Sequence, residues 1–62
     1  MITKITAAII ARYADSGQTI ARVVWRDAKG HTGTTEGAPE GAHMQALIAR
    51  AEREGVTVTR CL

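Results

Sequence analysis

Pro39-Glu40-Gly41-Ala42-His43-Met44-Gln45-Ala46-Leu47-Ile48-Ala49-Arg50-Ala51-Glu52-Arg53-Glu54-Gly55 is the one stretch whose start, period and stop agree on a single secondary structure. Proline suits the first helical position, where its missing N–H is not needed and its fixed φ already fits. Glu40 puts negative charge beside the positive end of a helix dipole. Met44, Leu47, Ile48 and Ala51 follow at i, i+3, i+4 and i+7, which lines one apolar stripe. Gly55 then offers the left-handed residue that commonly closes a helix. The spacing predicts a helix over 39–55, and the remaining chain must form what the stripe covers.

Downstream, Val56-Thr57-Val58-Thr59-Arg60-Cys61-Leu62 alternates, with Val56, Val58, Arg60 and Leu62 on one side, so a last strand is expected. Upstream, His31 to Glu36 is short and polar with Gly33 in its middle, the composition of an edge strand. Asp27-Ala28-Lys29-Gly30 before it can start a type I turn with Asp and close it with a Gly bulge. Thr19 to Arg26 is β-branched and aromatic, a strand. Asp15-Ser16-Gly17 reads as another turn. Residues Ile2 to Ala14 alternate, with Ile5, Ala7, Ile9, Ala11 and Tyr13 on one face and Lys4, Thr6, Ala8, Ile10 and Arg12 on the other. A helix competes there, because Ile2, Ile5, Ile9 and Tyr13 also share a helical face and Gly17 could cap it. The short Gly-containing turn before a clear strand favours a hairpin, hence a strand. The expected architecture is a single α+β domain over residues 1–62, a small antiparallel sheet with one helix on one face, in the order β-β-β-α-β.

A chain of 62 residues buries only about 60% of its unfolded surface. Cys61 is the only cysteine, so no disulfide can reinforce the core, and a reducing compartment is expected. Met1-Ile2-Thr3-Lys4-Ile5 does not begin a signal-like apolar run, and no stretch approaches the roughly 20 apolar residues of a membrane span. A cytoplasmic location without membrane attachment is the expectation. The net charge of +2 is too small to predict nucleic-acid binding by itself. Phe is absent, and Tyr13 and Trp25 are the only aromatics, so the core must come from Ile, Val, Leu, Met and Ala.

One helix can cover one face of a sheet, yet the first two strands carry apolar residues on both. Ile9 stands against Ile10, Val23 against Val24, and Ile20 against Trp25. A sheet with one solvated face should alternate apolar and polar more strictly, and uncovered apolar patches mark interaction sites. Ile10, Ile20 and Val24 are the candidates on the sheet. On the helix, Ala42, Ala46, Ala49 and Arg53 form an outward row of small residues, although alanine is also simply a good helix former. Together these surfaces point to a homodimer or a protein partner.

Chemistry is harder to find. Glu40 and His43 have the Glu-x-x-His spacing of carboxylate metal sites on helices, with Glu36 nearby, but such sites need ligands from other helices. Gly30, Gly33, Gly37 and Gly41 precede the helix without the lysine and hydroxyl of a phosphate loop, and Glu36 and Glu40 would repel phosphate. Cys61 and Ser16 have no base or orienting group at motif spacing. No enzyme, cofactor or metal is expected. Arg12, Arg22, Arg26 and Lys29 give a second reading, a basic sheet surface that binds nucleic acid. Trp25, the aromatic such a surface would use, falls on the opposite side from Arg22 and Arg26.

Three antiparallel strands, a helix and a strand resemble in order the first half of the ribonuclease H plan and its partial version in HicB-type antitoxins. The likeness is one of element order, and the acidic metal-binding residues of ribonuclease H have no counterpart at these strand positions, so it implies no nuclease activity. By size and plan the chain also looks like accessory proteins of phages and other mobile elements, including inhibitors of host defence. The functional expectation is therefore a non-catalytic, homo-oligomeric interaction module that inhibits or bridges a protein partner. The alternative is a nucleic-acid-binding regulator.

Overall fold

The computed structural model describes residues 2–62. Strand β1 (Ile2–Arg12), β2 (Thr19–Asp27) and β3 (Thr32–Gly37) form an antiparallel meander, followed by helix α1 (Ala42–Arg53) and strand β4 (Val58–Cys61). The strands lie in the order β3-β2-β1-β4. The β-β-β-α-β order is as the sequence predicts, and β3 stands at the edge. The sheet is mixed, however, because β4 runs parallel to β1. Chain direction requires this: two hairpins make β3 run the same way as β1, and one helix reverses the chain once more before β4.

The turns form where glycine permits them. Gly30 has φ 84°, and the Asp27 N–H donates to the His31 carbonyl at 2.9 Å. Both Lys29 N–H and His31 N–H donate to the Asp27 side chain. Helix α1 begins three residues later than Pro39 implies. Pro39 instead follows Ala38 in a turn whose Gly41 N–H donates to the Ala38 carbonyl at 3.1 Å, and Gly41 is the N-cap without a side-chain cap bond. The fixed φ of proline serves the second position of a turn as well as the first of a helix. At the other end Gly55 is left-handed, and Gly55 N–H and Val56 N–H donate to the carbonyls of Glu52 and Ala51. That pair of bonds satisfies two carbonyls the helix leaves open.

Strand β1 departs from simple alternation. Its pairing with β2 slips by one residue between Ile2 and Lys4 and again between Ile5 and Ala7, so Thr3 and Thr6 are extra residues in β-bulges. Each threonine hydroxyl donates across to β2, Thr3 to the Arg26 carbonyl and Thr6 to the Val24 carbonyl. The second bulge changes the phase of the strand. Ile5, Ala8 and Ile10 therefore lie together under the helix, where simple alternation would separate Ile5 from the other two.

The core is the layer between sheet and helix: Ile5, Ala8 and Ile10 from β1, Ala21 and Val23 from β2, and Met44, Leu47 and Ala51 from α1. Ile48 and Trp25 are half-buried against it. The Trp25 indole covers Gly33 on β3, where a side chain would collide with the ring, and its Nε1 donates to Thr35 Oγ1 at 2.9 Å. At the far end of the sheet Arg50 and Glu54 take over from strand pairing. β4 pairs β1 only from Ala8 to Ala11. Beyond it, Ile5 N–H donates to Glu54 Oε1 at 2.9 Å and Arg50 donates to the Ile2 carbonyl at 3.0 Å.

Candidate interaction surface

Among the described residues, no element covers the side of the sheet away from α1. Alternation on either side of the buried residues places Ala7, Ile9 and Ala11 of β1, and Ile20, Arg22, Val24 and Arg26 of β2, on this open face. Lys4 stands there too, directly across from Arg26. β3 adds Thr34 and Glu36 opposite Val24 and Arg22, and β4 adds Thr59 and Cys61 beside Ile9 and Ala11. Ile9 remains 37% exposed and Tyr13, at the hairpin end, 44%. Two β-branched aliphatics, Ile20 and Val24, are half-buried among these neighbours. The result is an apolar strip along β1 and β2 with polar margins, interrupted on β2 by Arg22 between Ile20 and Val24.

The electrostatics of the face are local. Arg22 donates to Glu36 Oε2 through both Nε (3.2 Å) and Nη2 (3.0 Å). That hydrogen bond and the Glu36 charge raise the Arg22 pKa above its ordinary value, with Tyr13 adding a smaller contribution. Arg22 is thus drawn toward β3 and away from the strip.

The sequence-derived interface residues divide. Ile20 and Val24 are on the open face, but Ile10 is not: it is 7% exposed and lies under the helix. The Thr6 bulge exchanges Ile10 for Ile9, which alternation alone could not reveal. On the helix, Ala42, Ala46 and Arg53 are exposed and Ala49 is half-buried. The basic set divides as well. Arg22 and Arg26 share the open face, Arg12 follows Ile10 on the helix side, and Lys29 sits in the β2–β3 turn. Lys4 and Tyr13 belong to the open face and were not singled out from the sequence. Trp25 is on the helix side, as expected.

Among the described residues no group of three or more His, Cys, Asp or Glu side chains is placed to hold a metal ion, so Glu36, Glu40 and His43 are not gathered into one. No enclosed pocket is found among them, Cys61 is exposed and unpaired with another cysteine, and no helix is long and apolar enough to cross a membrane. In comparisons with known proteins, no family model, curated protein or solved structure matches the chain.

Proposed function

We propose that this protein is a small non-catalytic interaction module whose contact surface is the open face of its sheet. It acts there as a homo-oligomer or on a protein partner that it inhibits or bridges. The observation that carries this reading is the apolar strip of Ala7, Ile9, Ala11, Ile20 and Val24 on a face that no element among the described residues covers. Removing such a strip from water is a source of association free energy. Blocking another protein needs a contact surface and no active site, which suits a cytoplasmic accessory protein of a phage or mobile element, such as an inhibitor of host defence.

A charge placed in the strip tests the reading. Ile9→Asp should leave the far-ultraviolet circular dichroism unchanged, since Ile9 is outside the core. It should also abolish self-association in sedimentation equilibrium, or capture of the partner on immobilised protein. Identical behaviour of wild type and variant in both assays would remove the open face from the function. One observation favours the nucleic-acid alternative, namely that Lys4, Arg22, Arg26 and Tyr13 all stand on the open face. That reading requires salt-dependent binding of an oligonucleotide.

A further inference from the structure

Charge is distributed unevenly along the open face. Arg22 is neutralised by Glu36, whereas Lys4 and Arg26 stand directly opposite each other across β1 and β2. Like charges in that relation repel and weaken a sheet. Among the described residues no carboxylate forms an ion pair with either of them. Lys29 lies in the turn at the same end. The one acid of that turn, Asp27, accepts from the N–H groups of Lys29 and His31 and faces the His31 ring at 3.5 Å, so Lys4, Arg26 and Lys29 stand against a single carboxylate. Among the described residues the face therefore ends in net positive charge.

Beyond that end runs the apolar strip, two strands wide. At the usual strand spacing this is about 10 Å, close to the roughly 10 Å diameter of an α-helix. Alanines at positions 7 and 11 keep the β1 side low, with Ile9 between them. Val24 and Ile20 stand beside the two alanines, and Arg22, opposite Ile9, reaches outward to Glu36 on β3. Resting on the reading of this face as a contact surface, we propose that its occupant is an amphipathic helix of a protein partner. That helix is aliphatic along one side and acidic at the end that lies over Lys4 and Arg26. The occupant would give the sheet a second covering layer over the apolar residues that a solvated face would not carry.

Other occupants match the face less well. A second copy brings a face of the same sign, with Lys4, Arg22 and Arg26 against the single acid Glu36. A single-stranded nucleic acid matches the basic end but meets aliphatic Ile9, Ile20 and Val24 where stacking rings would serve it. The one ring on the face, Tyr13, is at the opposite end beside Arg22.

The test uses a synthetic amphipathic helical peptide with leucines on one side and two glutamates at one end. Its comparators are the same peptide with lysines in place of the glutamates, a scrambled sequence of the same composition, and an oligothymidine. Calorimetry at low salt should give the acidic peptide at least about a tenfold advantage over the lysine peptide, shrinking as salt screens the pair. The double variant Lys4→Glu/Arg26→Glu should reverse that preference, and Ile9→Asp should abolish binding of both peptides. Equal affinity for the two peptides, a preference that survives charge reversal, or tighter binding of the scrambled peptide or the oligothymidine would overturn the inference. A wild-type dimer that Ile9→Asp dissociates would put a second copy on the face, overturning the inference while leaving the contact surface in place. No association of any kind, with Ile9→Asp silent throughout, would remove the contact surface as well.

Discussion

From Ala8 to Ala11, strand β1 has a strand on either side, β2 antiparallel and β4 parallel. From Ile2 to Ala7 it has β2 alone, in a register interrupted twice, and its other edge is met by the side chains of Arg50 and Glu54. The first half is held by repetition and the second by individual contacts. Residues in a regular ladder share their hydrogen bonds with neighbours that have the same geometry. At the bulged end, each threonine hydroxyl, the carboxylate and the guanidinium answer one backbone group apiece. Single substitutions there should be felt more sharply, and the differences between them should report which contact does what.

The largest effect is expected at Ile5, which is fully buried at the bulged end. Ile5→Ala should lower the unfolding free energy by about 2–5 kcal/mol, the range for truncating a buried isoleucine. Ile9→Ala, in the regular half but on the open face, should cost less than about 1 kcal/mol by comparison. Urea titrations of the two variants measure the contrast. Equal costs would mean that the bulge at Thr6 does not set the phase of the strand.

That phase marks the limit of what was legible in the sequence. The helix stripe of Met44, Leu47 and Ala51, the two Gly turns and the polar edge strand follow from local chemistry, and each is present. Period-two alternation could not show the bulges, because Thr3 and Thr6 have ordinary strand propensities and slip only through pairing with β2. It therefore placed Ile10 on the open face and Ile9 on the helix side, each opposite to its position in the structure. The parallel β4 could have been deduced from counting reversals of the chain. The juxtaposition of Lys4 and Arg26 could not, since it depends on the same shifted register.

Gly33 offers an intermediate perturbation. It reads from sequence as a residue that weakens an edge strand, but in the fold it is the floor on which the Trp25 indole lies. Trp25 pairs with Ile5 on one side and Gly33 on the other, so the ring roofs the bulged end. Gly33→Ala should displace the indole from Thr35 and cost about 1–3 kcal/mol, the usual penalty for overpacking. Tryptophan fluorescence should shift to the red as the ring moves toward water, while Gly30→Ala, in the turn, should leave the emission unchanged. A Gly33→Ala protein with native emission and stability would show that the close approach of ring and strand is unimportant.

The smallest effect is expected at Glu54, and its pH dependence identifies it. The Ile5 N–H bond, then Arg50, holds the Glu54 pKa below its ordinary value. A carboxylate whose pKa is lower in the folded than in the unfolded state contributes stability above the unfolded value, roughly 4.3. The contribution is lost as pH falls through the folded value. Glu54→Gln keeps an oxygen that can accept from Ile5 N–H but removes the charge that attracts Arg50. Wild type should therefore be the more stable protein at neutral pH, and its advantage should shrink steadily as the solution is acidified below the ordinary carboxylate range. Added salt at neutral pH should reduce the same advantage, because the pair is solvent-facing and open to screening. Denaturation midpoints for both proteins across the acid range measure it. A difference that is constant with pH would mean that the bulged end of β1 is held by the geometry of the Glu54 oxygen and not by its charge.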